Sequence, residues 1–217
     1  MKRGLFLVAT FTLSSALYAQ GTLTRQQARE VFAAYNPALL EKAAQNEDLN
    51  QFVEDVLTQY VAQNPPDTVE SRYTLAALAR NFENSIAVNA ALAQYKNALI
   101  YSQQGGAVQE AARVHASKAL SEVFPRIWAV SVQVKEDLLA QYQKDLKAPG
   151  ITPAQKQGLQ AAIKAVKADL KNLRTRTGEQ LLALTQDALA QAEEQAAQAQ
   201  EANSFDVKTS SHHPRAG

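Results

Sequence analysis

Residues 151–174 read ITPAQKQGLQAAIKAVKADLKNLR, and this stretch decides the fold class. Thr152 and Gln155 have the spacing of a capping box, in which the Thr side chain accepts from a first-turn amide and the Gln reaches back to the cap. Pro153 stands at the first helical position, where its missing N–H costs nothing. Apolar residues then recur in alternating steps of four and three, which is the spacing of one helix face. The stretch therefore predicts a long amphipathic α-helix.

The apolar face continues past residue 174 as a heptad seam. A four-residue phase shift falls near Gly178, where any supercoil should unwind locally. We expect one helix over residues 153 to about 203, which at about 1.5 Å per residue exceeds the diameter of a compact domain. The coiled-coil seam comprises Leu159, Ile163, Val166, Leu170, Leu173, Leu181 and Leu184.

A second helical segment of similar length lies immediately upstream, from Ala107 to Lys147, with Pro125 as its one sharp interruption. The short turn at residues 148–150 favours antiparallel neighbours, so the two segments predict an elongated helical hairpin. Residues 128–134 alternate apolar and polar side chains in the manner of a strand. Because no other segment offers a matching strand, we favour helix there.

The composition supports an all-α fold. Ala contributes 40 and Gln 23 of the 217 residues, while 8 Gly and 7 Pro are too few for a β-sandwich or barrel. The overall prediction is a cluster of short N-terminal helices followed by long antiparallel helices that form an elongated hairpin or bundle.

The sequence predicts short helices in the N-terminal region from residue 20 onward, because the residues that stop helices are closely spaced there. Thr24 and Gln27 repeat the capping-box pattern, and the prolines of Asn36-Pro37 and Asn64-Pro65-Pro66 stop the helices that precede them. Another capping box at Asp67 predicts a helix that reaches Gln103. We expect a short-helix region over 20–66, a long-helix region over 67–203 and a disordered tail over 204–217. The sequence leaves open whether the short helices pack on the hairpin.

Residues 1–19 have the pattern of a secretory signal peptide. Lys2 and Arg3 form the positive region, and an apolar run follows from Leu5 to Leu13, too short to span a bilayer. Cleavage is expected after Ala19. No later segment has the length and apolar character of a transmembrane helix, so the sequence predicts an exported protein that is periplasmic or extracellular.

Charge and residue types exclude several function classes. The 22 basic and 21 acidic residues give a net charge of +1, which argues against nucleic-acid binding. The absence of Cys excludes a disulfide framework, a thiolate zinc site and a Cys nucleophile. His115 has no acidic residue one helical turn away, and His212-His213 alone make a weak metal site.

No catalytic motif is recognisable in the sequence, so we expect no enzyme, no metal and no cofactor. Carboxylates from separate helices converge in di-iron proteins, but those sites need Glu-x-x-His pairs, which this sequence lacks. Lys164, Lys167, Lys171 and Arg174 share one side of the long helix. They would suit an acidic partner, although we favour a solvated flank.

One segment carries more apolar residues than a single helix face can bury, which marks it as a candidate contact surface. Oligomerisation of the chain with itself through the heptad seam would compete for the same surface. The partner-binding candidates are Phe124, Ile127, Trp128, Val130 and Val132.

Two segments, Leu23–Gln27 and Ile151–Gln155, share the pattern apolar-Thr-x-x-Gln. Behind a signal peptide and in an all-helical chain, this pair resembles the LTxxQ family of periplasmic proteins, the Spy and CpxP group. The resemblance implies an ATP-independent chaperone or a sensor of envelope stress, built as a cradle of antiparallel helices. We therefore expect an exported, non-enzymatic binding protein of the cell envelope with a chaperone-like, client-holding role. The alternative is a structural or assembly subunit that bridges envelope components through a coiled-coil hairpin.

Overall fold

The computed structural model describes residues 21–102, 106–175 and 178–210, with side chains through residue 202. The described residues form eight α-helices and no strand, so the predicted all-α class is confirmed. Residues 1–20, which include the predicted signal peptide, and residues 211–217 lie outside the described residues. The helices are α1 Arg25–Tyr35, α2 Pro37–Ala44, α3 Glu47–Val61, α4 Val69–Arg80, α5 Phe82–Tyr101, α6 Gly106–Asp145, α7 Pro153–Arg174 and α8 Gly178–Ser210.

Both predicted capping boxes are formed. The Thr24 hydroxyl accepts from the Gln27 amide while the Gln27 side chain accepts from the Thr24 amide, and Thr152 and Gln155 do the same at the start of α7. Asn36 caps α2, where its side-chain oxygen accepts from the amide of Leu39 at 3.1 Å. These starts were predictable because a cap depends only on residues three positions apart.

The helix predicted from Asp67 to Gln103 is wrong in two respects. The N-cap residue is Thr68, because the Asp67 carboxylate pairs with the Arg72 guanidinium instead. The helix ends at Arg80, with Asn81 as its C-cap, and a second helix begins at Phe82. The break places the Phe82 ring 5.9 Å from the ring of Phe32 and 5.2 Å from that of Phe52. The spacing of neighbouring residues cannot predict such contacts between distant segments.

Pro125 does not interrupt α6, contrary to the prediction. The helix continues through it from Gly106 to Asp145, because buried side chains on both sides, Phe124 and Ile127 among them, hold it in place despite the missing N–H. Residues 128–134 lie within this helix, so the preference for helix over strand is confirmed.

The single helix expected over 153–203 is two helices. α7 ends at Arg174 and α8 begins at Gly178, where the heptad phase shift falls. A seam that changes phase cannot keep facing the same neighbour, so a division there is physically reasonable. α8 then continues to Ser210, past the residue where the tail was expected to begin.

The chain divides into two compact units, and the boundary expected after Pro66 is not the dividing line. One unit contains residues 21–83 and 127–175, and we call it the cleft unit. The other contains residues 84–102, 106–126 and 178–210, and we call it the three-helix unit. α6 contributes its first part to the three-helix unit and its second part to the cleft unit.

In the cleft unit, the second part of α6 lies antiparallel to α7, which confirms a helical hairpin there. The Trp128 indole N–H donates to the carbonyl of Leu173 at 3.0 Å, and Lys135 Nζ lies 2.8 Å from Asp169 Oδ2. The core between the two helices is formed by Leu138, Tyr142, Leu159, Ala162, Val166 and Leu170.

α4 packs directly on this hairpin, and the short helices of residues 21–66, whose position the sequence left open, lie in the same compact unit. Val69 and Tyr73 of α4 pack against the hairpin core, and Arg80 Nη1 lies 2.9 Å from Asp137 Oδ2 of α6. α1 in turn packs against α2, α3 and α4.

The three-helix unit joins α5, the first part of α6 and α8. The Tyr95 hydroxyl donates to Glu193 Oε1 at 2.6 Å, and the Gln200 side chain donates to the carbonyl of Leu99 at 2.8 Å. Small residues form much of the buried face of α8, which is why its sequence carries a weak apolar signal. Within residues 178–202 of α8, the buried residues are Thr185, Ala188, Leu189, Ala192 and Ala196.

Candidate functional site: a cleft at the turn between α6 and α7

The cleft unit contains a cavity of about 580 Å³ at the turn that joins α6 to α7. Its walls come from the start of α4, the end of α6, the turn itself and the start of α7. This volume lies in the range of about 300–1,000 Å³ that is typical of ligand pockets. Two separate stretches of the chain, residues 67–72 and 142–159, therefore converge on one concave surface.

An acidic wall surrounds the hydroxyl of Tyr142. This residue is buried, and its hydroxyl donates to a carboxylate oxygen of Glu70. Burial raises the pKa of the Tyr142 hydroxyl well above its usual range, and the neighbouring charges of Glu70 and Asp145 raise it further. The hydroxyl therefore stays protonated and serves as a fixed hydrogen-bond donor.

Asp67, which lines the cleft just before α4, is held by three hydrogen bonds. Arg72 donates to it from Nε at 2.8 Å and from Nη2 at 3.1 Å, while Gln27 Nε2 donates at 3.1 Å. The hydrogen bond from Arg72 is the main reason that the pKa of the Asp67 carboxyl lies below its usual value. Asp67 is thus an ionised, well-held carboxylate.

The second Thr-x-x-Gln segment lines this cleft, and the first reaches it through one lining residue, Asp67. Gln27 of the first segment holds Asp67, and Ile151 and Gln155 of the second segment line the cavity directly. Leu23 is buried, and its amide donates to the carbonyl of Pro65 at 2.9 Å. The sequence identified both segments as helix caps. They are 128 positions apart, and nothing in the sequence indicated that both would be linked to one site.

A second, shallower groove of about 460 Å³ lies between α6 and α7 in the same unit. Lys167, Lys171 and Arg174 line it together with Leu139 and Leu170, and Arg174 pairs with Glu136. Three of the four cations of the predicted basic stripe therefore border a groove with an apolar floor.

The five partner-binding candidates are not presented as an open surface. Phe124 and Ile127 are buried at 4% and 7% exposure, and Trp128, Val130 and Val132 are half-buried. The prediction assumed that one helix face could not bury all five side chains, but two of them are buried and the other three are half-buried.

The seam residues divide between the two units. Leu159, Val166 and Leu170 are buried in the hairpin core, and Ile163 and Leu173 lie half-buried at its margin. On α8, Leu181 and Leu184 are half-buried. The seam correctly marked the core face of α7, but in α8 the fully buried stripe begins only at Thr185.

Exposed large apolar side chains occur elsewhere, in the three-helix unit. Among the described residues, Tyr101 is 71%, Val114 59%, Leu182 55% and Val108 40% exposed. These residues could not be identified from the sequence, because an exposed valine in an amphipathic helix has the same local pattern as a core valine.

The described residues show no metal-binding cluster and no membrane-spanning helix. His115 lies on an exposed face of α6, and His212-His213 fall outside the described residues. In the described part of the chain, no cluster of three or more His, Asp or Glu side chains is placed to hold a metal ion. None of the described helices has the length and apolar character that crossing a bilayer requires.

Comparisons with protein-family models, with curated proteins and with solved structures find no match to this chain. The cleft geometry and the sequence patterns therefore carry the functional argument.

Proposed function

We propose that this chain is an exported, non-enzymatic binding protein that holds a protein partner by surface contact, with the cleft of the cleft unit as its contact site. The observation that supports this most is the convergence of two distant stretches of the chain on one cavity of about 580 Å³, which the second Thr-x-x-Gln segment lines and the first reaches through the hydrogen bond from Gln27 to Asp67. Export rests on the signal-peptide pattern of residues 1–19.

The cleft is held open by bonds that are already formed without a ligand. Glu70 is bonded to Tyr142, Asp67 to Arg72 and Gln27, and Thr152 to Gln155. A preformed site does not have to be ordered when the partner binds, so less free energy is lost on association. This arrangement favours recognition by shape and charge.

The lining also has the mixed character of a protein-contact surface. Val69, Ile151 and Leu159 supply apolar area, while carboxylates and an arginine supply polar groups around it. Burial of apolar area gives binding free energy without nucleotide hydrolysis, and the polar groups orient the partner. A chaperone-like, client-holding role fits this chemistry, with the exposed apolar residues of the three-helix unit as further contact area.

The test fills the cleft and measures the effect on a client. Ala148 lines the cavity and is exposed, so Ala148→Trp blocks the opening without disturbing the core. Ala161→Trp is the matched control, because Ala161 is exposed on α7 but does not line the cavity. Protein purified from cells that express the complete sequence is added in molar excess to reduced insulin without ATP, and light scattering is followed.

We expect the wild type and Ala161→Trp to slow aggregation and Ala148→Trp to lose most of that effect. Equal protection by all three proteins would show that the cleft is not the contact site. No protection by any of them, combined with a single stoichiometric partner in envelope crosslinking, would replace the client-holding role with that of an assembly subunit.

A further inference from the structure

We infer that the groove between α6 and α7 in the cleft unit is a second contact surface, which docks an acidic amphipathic helix of a protein partner. The groove shares no lining residue with the cleft, so this surface is additional to the proposed contact site. Two observations carry the inference together, an excess of positive charge along one wall and a recessed apolar floor.

The charge of the groove lining is positive. The lining contains three cations, Lys167, Lys171 and Arg174. Its one carboxylate is that of Glu136, which pairs with Arg174. Among the described residues, none forms an ion pair with Lys167 or Lys171. The described part of the chain therefore leaves two positive charges of the groove without a paired carboxylate.

The three cations repeat along one side of α7. Lys167 and Lys171 are four positions apart and Arg174 follows three positions later, so neighbouring cations lie one helical turn from each other. Like charges at this spacing repel, and carboxylates of a partner beside them would relieve the repulsion. The row extends over about 10 Å, which is two helical turns. A partner helix with acidic residues at steps of three and four presents its carboxylates at the same intervals.

The floor of the groove is apolar and lies below the charged rim. Leu139 of α6 is half-buried, and Leu170 of α7 is 4% exposed. Ala140 is exposed on the α6 side, and its short side chain leaves space above the floor. Two antiparallel helices separated by such a channel can accept the apolar ridge of a third helix. Docking would bury the partner's apolar side chains on the floor while its carboxylates reach the lysines.

An anionic lipid surface is the other partner that a basic groove could suit. A helix that lies on a bilayer inserts exposed apolar side chains among the lipid headgroups. Here the apolar residues are recessed, and Leu170 is almost fully buried between the two helices. A flat surface does not reach such a floor, whereas a convex partner such as a helix does. The recess therefore favours a protein helix over a membrane.

The test of charge uses a fluorescent amphipathic helical peptide of leucine and glutamate and the same peptide with every glutamate replaced by glutamine. Binding to the purified full chain is measured by fluorescence anisotropy. One double variant carries Lys167→Gln and Lys171→Gln. The matched control carries Lys147→Gln and Lys156→Gln, because these two lysines are exposed and line neither the groove nor the cleft.

The test of place fills the groove with a large side chain. Ala140→Trp puts an indole ring above the floor without replacing a core residue. Ala161→Trp is again the control, because Ala161 is exposed on α7 and does not line the groove. Circular dichroism spectra and urea midpoints of all variants establish that they are folded.

We expect the glutamine peptide to bind wild type at least about tenfold more weakly than the glutamate peptide, since its ion pairs with the groove are lost. Lys167→Gln with Lys171→Gln should weaken binding of the glutamate peptide by about tenfold for the same reason. Ala140→Trp should lose most of the binding. Both control proteins should stay within about twofold of the wild type.

Ala148→Trp, which blocks the cleft, separates this inference from the proposed function. Peptide binding should be unchanged in Ala148→Trp, whether or not the cleft protects a client from aggregation. Binding that is lost in Ala148→Trp and kept in Ala140→Trp would place the acidic helix in the cleft and would overturn the inference.

Three other results would also overturn it. Equal binding of the two peptides would show that the positive charge does not select the partner. Equal weakening in the Lys147→Gln and Lys156→Gln control would show a general charge effect. Binding to phosphatidylglycerol vesicles that falls in the Lys167→Gln and Lys171→Gln variant, with no binding of the peptide, would reassign the groove to a membrane surface.

Discussion

The indole N–H of Trp128 in α6 donates a hydrogen bond to the backbone carbonyl of Leu173 in the last turn of α7, at 3.0 Å. The last four carbonyls of a helix lack a partner within it, so a side chain from a neighbouring helix is an effective donor. This bond joins one end of the antiparallel helices α6 and α7. The ion pair between Lys135 and Asp169 joins the same two helices one to two turns away.

Trp128→Phe should lower the free energy of unfolding by about 1 kcal/mol, because it removes this hydrogen bond and keeps most of the ring contacts. Urea denaturation followed by circular dichroism measures the change. Tyr101→Phe is the control, since Tyr101 is 71% exposed and should show no effect. Equal stability of Trp128→Phe and the wild type would mean that water replaces the indole N–H as the donor to the Leu173 carbonyl without loss.

Lys135 is buried at 3% exposure and its ammonium lies 2.8 Å from Asp169 Oδ2. Asp169→Asn leaves the buried charge with less compensation and should cost about 1–2 kcal/mol, less than for a fully buried pair because the Asp169 side chain is 44% exposed. Lys135→Met removes the charge and its desolvation together, so its cost should be smaller. A larger loss in Lys135→Met than in Asp169→Asn, measured by urea denaturation, would contradict this order.

The two capping boxes should respond differently to the same substitution. Glu is as good as Gln at this capping position, so Gln155→Glu should be nearly neutral. Gln27→Glu places a second carboxylate where Gln27 Nε2 now donates to Asp67 at 3.1 Å. The lost bond and the repulsion should lower the unfolding free energy by about 1–2 kcal/mol. Thermal or urea midpoints of the two variants provide the comparison. Equal midpoints would show that the interaction between residue 27 and Asp67 does not affect stability.

Stability should fall in acid partly through Asp67. Its pKa is lower in the folded chain than the ordinary value of 3.8, mainly because Arg72 donates to it. The unfolded chain therefore binds more protons in this range, so the contribution is complete above the unfolded pKa and is lost as the pH falls through the folded one. The difference in urea midpoint between the wild type and Asp67→Asn should shrink from pH 6 to about pH 3. A difference that stays constant over that range would exclude this coupling.

Several tyrosines should resist ionisation at high pH. Burial is the main cause that raises the pKa of Tyr60 to about 12 and that of Tyr95 to about 12, with Glu193 contributing at Tyr95. A raised folded pKa means that their contribution is present below pH 10 and is lost as the pH rises toward 12. Tyrosinate absorbance of the native chain should show late-titrating groups that shift back toward pH 10 in denaturant, and Tyr95→Phe should remove one of them. Titration of all tyrosines near pH 10 in the native chain would refute the burial.

Local spacing predicted the features that depend on neighbouring residues. Thr24 with Gln27 and Thr152 with Gln155 identified two helix starts, and the steps from Leu159 to Leu170 identified the buried face of α7. These succeed because a helix brings residues three and four apart onto one side whatever lies elsewhere. The same reasoning failed at Pro125, where packing against other helices outweighs one missing hydrogen bond.

The candidate site could not be predicted from the sequence, because it too depends on contacts between distant segments. Glu70 and Tyr142 are 72 positions apart, and no periodicity in either segment specifies that they meet. The break at Asn81 depends on where the Phe82 ring packs, which again is a contact between distant segments.

The sequence by itself determined the all-α class, the capped helix starts and the apolar face of α7, since each arises from interactions within about one helical turn. Only the tertiary structure decided the division into two units, the covering of α6 on several sides and the acidic cleft. Those depend on which helices meet, and that choice is made by the burial of side chains from distant parts of the chain.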